Sequence, residues 1–280
     1  MMRAAHYLLD AEPKILADPF ARSFVGFSDD QVFLKELRKL YGGAFDPLEF
    51  PKQRTYFVLR SRYTEDELEA AVARGVRNYV MLGAGLDSFA FRRPDLMRVL
   101  NVYEVDHPST QTWKRERLAE LSLKVPATLH FVPVDFERET LTEGLAAGGL
   151  QPDSFAFFSW LGVNTYLTPD AVLHTLREIA GTTGAGSELV TDYIVPATML
   201  DGADRALFDS HAIRVAELGE PWLSFFRPDE LEMHLQQIGF GQVSHFGPAE
   251  ACARYFAGRS DGPFLTGLCR MFRLLKARIV

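Results

Sequence analysis

The sequence predicts an α/β protein built on a doubly wound, mostly parallel sheet. Three observations predict it. Short apolar runs alternate with helical patterns of about 10–15 residues, as βαβ units do. The first of these runs, Asn78 to Leu82, leads directly into Gly83-Ala84-Gly85. Acidic residues then close the next two runs, Glu104 and Asp106 first and Asp135 after them.

Each element has its own reason. Up to Arg62 the chain mixes short helical patterns with breaks at Pro13, Pro19, Gly42-Gly43, Pro47 and Pro51. Ser28 to Leu40 reads as a helix, capped by Ser28, with Val32, Phe33, Leu37 and Leu40 at helical spacing. Residues 1–62 are therefore expected to form an N-terminal helical cap, and 63–280 the sheet-bearing unit. Thr64 and Glu67 spell a capping box, which predicts a helix to Arg74 that Gly75 ends. Strands follow at Asn78–Leu82, Leu100–Val105, Thr128–Val134, Phe155–Leu161 and Glu188–Ile194. Helices fall between them at Ser109–Leu121, Glu137–Ala147 and Pro169–Ala180, the last opening on proline in the favoured first turn. The first and fourth strands are apolar almost throughout, which marks them as central and covered on both faces. Asp201–Leu218 and Pro228–Ile238 read as two further helices. Two late runs, Gln242–Phe246 and Leu268–Leu275, are expected to add an antiparallel pair at the sheet edge.

Composition narrows the functions. A chain of 280 residues allows two domains or one large α/β domain. Thirty basic against 37 acidic side chains, a net charge of −7, is not the footprint of a nucleic-acid binder. The first twenty residues carry Arg3, Asp10, Glu12, Lys14 and Asp18 and hold no apolar signal core. No run is long and apolar enough to span a bilayer, so a cytoplasmic protein is expected. Cys252 and Cys269 form neither a redox nor a zinc spacing, and no metal is expected. The hydrolase nucleophile elbow, the His-Glu-x-x-His zinc motif and the P-loop are absent.

The chemistry concentrates in the first strand-to-helix turn. Gly83 and Gly85 let a ligand approach the backbone at a strand's carboxyl end, where open parallel sheets bind nucleotides. Glu104 and Asp106 lie about 20 residues further on, where an acid accepts hydrogen bonds from ribose hydroxyls. Asp135 beside Phe136 suits an adenine, one accepting from its amino group and the other stacking on its face. Ser88 stands where a dinucleotide fingerprint needs a third Gly or Ala. Asp87 is unfavourable beside a pyrophosphate but tolerable beside a sulfonium, which tilts the reading toward S-adenosylmethionine.

The ordered set Leu82-Gly83-Ala84-Gly85-Leu86-Asp87-Ser88, Tyr103-Glu104-Val105-Asp106-His107-Pro108, Val134-Asp135-Phe136 and Trp160 to Pro169 resembles the leucine carboxyl methyltransferase family. The likeness is greatest to its bacterial branch of S-adenosylmethionine-dependent O-methyltransferases. It covers about Arg54 to Asp192 and, weakly, Pro221 to Gly262. The resemblance implies a Rossmann-like seven-stranded sheet with an antiparallel final strand, under an N-terminal helical lid. It implies the cofactor glycine motif on Gly83 and Gly85, the ribose-binding acid on Asp106 and the adenine-side pair on Asp135 and Phe136; Ala84, Asp87, Glu104 and His107 are expected cofactor neighbours beside them. An arginine that binds the methionine carboxylate falls on Arg54 or Arg60. Leu161 occupies a position where the eukaryotic members carry Glu.

Methyl transfer from a sulfonium needs chiefly proximity and alignment. A carboxylate acceptor needs no base; a hydroxyl acceptor does. Asn164, Tyr166, Asp192, Tyr193 and the lid are the expected acceptor contacts, with His107 and His211 as candidate bases. Trp222, Phe225 and Phe226 read either as an apolar acceptor wall or as core, and the high phenylalanine content allows a flat, polyketide-like acceptor. The rival readings are an NAD(P)-binding oxidoreductase and a non-catalytic adenosyl-ligand-binding protein.

Overall fold

The computed structural model describes residues 1–41, 49–135, 138–259 and 268–280. The predicted breaks at Gly42-Gly43 and Pro47, the predicted adenine neighbour Phe136 and the side chain of Cys269 lie outside the described residues. The chain opens with α1 (Met2–Leu9), α2 (Ala21–Phe24), α3 (Asp30–Tyr41) and the long α4 (Glu49–Ala73). It then runs β1 (Asn78–Leu82), α5 (Phe89–Arg92), β2 (Asn101–Asp106), α6 (Pro108–Glu120), β3 (Leu129–Pro133), α7 (Leu141–Ala147), β4 (Ala156–Trp160), α8 (Pro169–Thr182) and β5 (Glu188–Ile194). The remainder is α9 (Gly202–Glu217), α10 (Pro228–Ile238), β6 (Phe240–Phe246), α11 (Pro248–Ala251), α12 (Leu268–Met271) and β7 (Phe272–Ile279).

The strands form one seven-stranded sheet in the order β3-β2-β1-β4-β5-β7-β6. All neighbours from β3 to β5 pair in parallel, while β7 runs antiparallel to both β5 and β6. β1 and β4 are central, as their continuous apolar character predicts. Alternation along β1 sends Tyr79 and Met81 to one face, with Leu68 and Phe157, and Val80 and Leu82 to the other, with Phe158 and Leu176. Phe157 and Phe158 are fully buried on opposite faces of β4. Each contributes roughly 2–3 kcal/mol of burial.

Five details differ from the expected elements. α4 carries the chain through residue 62 without a break, so the expected boundary between 1–62 and 63–280 falls inside one helix. Thr64 is not a cap: its hydroxyl donates to the Arg60 carbonyl one turn back. The last strand begins at Phe272, because Leu268 to Met271 close into a helical turn. Helix α3 is started by Asp29, whose carboxylate accepts from the Val32 amide, not by Ser28. Leu40 and Val32, expected on its apolar stripe, are exposed, while Phe33 and Leu37 are fully buried.

The strand order reverses between β1 and β4. Ligands of open α/β sheets bind beyond the strand ends at such a point.

Candidate active site

The turn after β1 is built from backbone. Gly83 and Gly85 adopt φ of +68° and +50°, a region that costs other residues strain. A Cβ at Gly83 would also collide with Val163 Cγ2 from the segment after β4. The Gly83 and Ala84 amides donate to the Val105 carbonyl at 2.9 and 3.2 Å. The Gly85 amide donates to Asp106 Oδ2 at 2.6 Å, and the His107 amide donates to Asp106 Oδ1 at 2.7 Å. Asp106 thus ties the end of β2 to the glycine turn, and its carboxylate keeps lone pairs for further donors.

Three adjoining cavities open along this edge of the sheet. The first, about 560 Å³, is lined by Gly83, Asp106, His107, Trp160 and Val163, with Arg138 to Thr140 after β3. The second, about 410 Å³, is lined by Gly83, Ala84, Asp87 and Leu161 together with Arg3, Asp18, Arg60 and Glu65. The third, about 610 Å³, is mostly apolar and holds Tyr56, Tyr166, His211, Trp222 and Phe272. Leu82 and Gly83 stand on the wall between the first and second. Met2, Phe57 and Arg60 stand between the second and third.

Charge is organised around the second cavity. Asp87 caps α5 by accepting from the Phe89 amide at 2.7 Å and pairs with Arg3. Burial opposes its ionisation, but Arg3, Arg92 and Lys114 together hold its carboxyl below the usual carboxylate range. Asp18 is buried, accepts from Ser88 Oγ at 2.8 Å and Arg3 Nη1 at 3.3 Å through Oδ2, and leaves Oδ1 with no partner. Arg60 donates to Asp192 Oδ2 at 3.1 Å and lies over the rings of Tyr56 and Phe57. Asp192, fully buried, also accepts from the Tyr56 hydroxyl and, at 2.8 Å, from the Gly162 amide. Burial, reinforced by Asp192, pushes the Tyr56 phenol well above its ordinary value.

The structure therefore brings together Gly83, Ala84, Gly85, Asp87, Asp106, His107, Leu161 and Arg60, and sets others apart. Arg54 is buried against Asp10, with Nε 2.7 Å from Oδ2, and lines none of these three cavities. Glu104 lies one pleat deeper than Asp106, buried and paired with Lys114 Nζ at 2.6 Å. Asp135 stands just outside the first cavity, 3.5 Å from Arg138 Nε. His107 is exposed and caps α6, its Nδ1 facing the Ser109 hydroxyl at 2.7 Å. Asn164 is buried below the third cavity, its amide donating to Thr191 Oγ1 at 3.2 Å and to the Asp192 carbonyl. Tyr193 is buried on the far face, its hydroxyl 2.9 Å from His245 Nδ1. Of the expected acceptor contacts Tyr166, and of the candidate bases His211, line the third cavity, and Trp222 joins them while Phe226 is core. Arg3, Asp18 and Lys114 were missed: a charge that finds its partner 10 to 84 residues away leaves no period in the sequence.

A family model described as leucine carboxyl methyltransferase matches residues 1–180. A Bacillus subtilis (strain 168) protein named "Putative S-adenosyl-L-methionine-dependent methyltransferase YktD" is 35% identical over 211 residues, covering 72% of this chain and 66% of that one. A Mycolicibacterium gilvum (strain PYR-GCK) protein with the same class name is 30% identical over 268 residues, covering 91% and 84%. The first relative is thus spanned over just under two thirds of its length. The solved structure of the S-adenosylmethionine-dependent methyltransferase SibL in its apo form superposes with a TM-score of 0.51 at 13% identity, over 81% of this chain and 57% of that one. That likeness speaks for the fold. Fold and relatives together define the class, an S-adenosylmethionine-dependent methyltransferase. The chain belongs to the leucine carboxyl methyltransferase family.

The residues present fit that methyl donor. The space where a Cβ at Gly85 would stand is open, Asp106 offers acceptors for a ribose, and the second cavity pairs guanidinium groups with carboxylates, as a zwitterionic amino acid requires. The orphaned Asp18 Oδ1 is an acceptor awaiting a cationic donor. Among the described residues no group of three or more His, Cys, Asp or Glu is placed to hold a metal, and no helix is long and apolar enough to cross a membrane.

Proposed function

We propose that this chain methylates an oxygen, carboxylate or hydroxyl, of a small and largely apolar acceptor. The donor's adenosine would lie along the first cavity, against Gly83, Asp106 and His107. Its amino-acid end would lie in the second, with Arg60, rather than Arg54, toward the carboxylate and Asp18 toward the ammonium. The observation that carries the reading is the third cavity, which shares Met2, Phe57 and Arg60 with the second and therefore abuts the methyl-bearing end. Its volume is that of a small-molecule site. Tyr56, Phe57, Tyr166, Trp222 and Phe272 give it flat aromatic walls, which suit a polycyclic acceptor of polyketide type. When bound, S-adenosylmethionine supplies an electrophilic methyl group on a good leaving group; the chain supplies alignment and exclusion of water. Residues 1–62 contribute Met1, Met2 and Arg3 to the second cavity, which supports their role as a lid. The test is mass-spectrometric detection of a 14-dalton gain on naphthols and naphthoates incubated with enzyme and S-adenosylmethionine. Methylated product from either series supports the reading. Donor binding without any oxygen methylation, or a product bearing the methyl group on carbon, contradicts it.

A further inference from the structure

We propose that His211 is the catalytic base of the reaction and that the acceptor oxygen is therefore a hydroxyl rather than a carboxylate. The inference rests on the methyl-transfer reading above and deepens it.

The argument begins with a tautomer. His211 sits on α9 and lines the third cavity, with Nδ1 2.9 Å from the Leu207 carbonyl oxygen one turn earlier. A carbonyl only accepts, so Nδ1 carries the proton. In the neutral ring Nε2 then holds a lone pair, and no hydrogen-bond partner occupies it among the described residues. A half-buried imidazole with a fixed tautomer and an open acceptor nitrogen is what proton abstraction requires. Burial lowers its pKa below the ordinary imidazole value; the Leu207 carbonyl opposes this and nearby Arg214 adds to it. The ring is thus neutral at physiological pH.

The other titratable groups on the described walls are committed or unsuited. Tyr56 and Arg60, from α4, are both engaged with Asp192. Tyr166, from the turn after β4, is kept protonated by burial and then by Glu220. Arg214, from α9, donates to the Leu40 carbonyl at 3.1 Å, and Glu217 stands exposed at the rim. β7 contributes only Phe272 to the wall. A carboxylate acceptor, already ionised, would have no use for a neutral base.

The step balances. The acceptor's O–H proton passes to His211 Nε2. The oxygen lone pair forms the new O–C bond to the methyl carbon. The C–S bond breaks with its electron pair remaining on sulfur, and the imidazolium later returns its proton to water.

The test uses the full chain with three probes of one shape: 2-naphthol, a nitro-naphthol already ionised at neutral pH, and 2-naphthoate. With 2-naphthol, His211→Ala and His211→Gln should each lower kcat by about a hundredfold or more. The calorimetric Kd for S-adenosylhomocysteine should stay within about threefold of wild type, because His211 lines the acceptor cavity and neither of the two cavities assigned to the donor. With the nitro-naphthol the loss should shrink to under about threefold, since no proton remains to be taken. The wild-type kcat/KM should rise with pH through the lowered imidazole value, and this limb should vanish in His211→Ala. Equal loss on both naphthols, an unaffected His211→Ala, loss in Glu217→Gln instead, or methylation confined to 2-naphthoate would each overturn the proposal. So would no methylation of either naphthol by protein that binds S-adenosylhomocysteine. Failure to bind S-adenosylhomocysteine would instead sink the function proposed above.

Discussion

Arg60 of α4 reaches Asp192 of β5 across 3.1 Å, joining the helical N-terminal part of the chain to the carboxyl end of the sheet. Asp192 has no exposure, and Arg60 stands on the wall shared by the second and third cavities. One guanidinium thus neutralises a buried carboxylate and borders both halves of the site.

Removing only the cation leaves Asp192 buried and uncompensated. Arg60→Ala should lower stability by about 3 kcal/mol or more. Arg60→Ala combined with Asp192→Asn should recover most of that loss in chemical denaturation and none of the S-adenosylhomocysteine affinity. Recovery of binding along with stability would show that Arg60 serves the fold alone.

Gly83→Ala combines two penalties, a left-handed φ of +68° and a collision with Val163 Cγ2. The conformational part costs about 1–2 kcal/mol. S-adenosylhomocysteine affinity should fall by about tenfold or more. Adding Val163→Ala relieves the collision but not the strain, so it should restore part of the affinity. Full affinity in Gly83→Ala would place the ligand elsewhere.

Asp18→Asn keeps the shape of a side chain whose Oδ1 has no partner. A charge-assisted hydrogen bond of about 1.5–3 kcal/mol should be lost. That is about ten- to a hundredfold in S-adenosylhomocysteine affinity. Adenosine, which lacks the amino acid, should bind the variant and the wild type alike. Equal weakening of both ligands would mean that the substitution merely loosens the Arg3 and Ser88 contacts.

Acid should release α1. Burial opposes ionisation of Asp10, but Arg54 and His6 overcome it and hold its carboxyl below its ordinary value; Asp87 is depressed in the same direction by Arg3 and Arg92. Depressed carboxylates stabilise the fold fully above the unfolded value, near about pH 4, and lose that contribution as the pH falls through their folded values. Hydrogen exchange of the α1 amides should therefore be slow at neutral pH and accelerate below about pH 4. The pair Asp10→Asn and Asp87→Asn should exchange fast at every pH. Protection already lost above about pH 4 in the wild type would contradict this reading of both carboxylates.

Much of the fold was legible from residues 78 to 194, where strand runs and capping signals are local. Asn78–Leu82 and Glu188–Ile194 begin and end as their apolar runs predict, and Pro228–Ile238 stops at Gly239, whose φ is +114°. α4 was misread because Pro51 falls in its first turn, where proline is tolerated, and because Thr64 and Glu67 imitate a cap inside a helix. The glycine turn and Asp106 were legible because backbone freedom and strand-end acids have fixed offsets. Glu104 shares the offset, yet only packing reveals that Lys114 covers it. The choice between Arg54 and Arg60, and between His107 and His211, depends on which partner each finds in space. Spacing carries no record of that.

The central claim is that Gly83, Gly85 and Asp106 form the binding site of an S-adenosyl ligand. Calorimetric titration of the purified chain with S-adenosylmethionine, S-adenosylhomocysteine and NAD, wild type against Asp106→Asn, tests it most directly. The account predicts saturable binding of the two S-adenosyl ligands at one site per chain, weakened about tenfold or more in the variant, and no binding of NAD. Binding of NAD alone, or undiminished binding by Asp106→Asn, would contradict it.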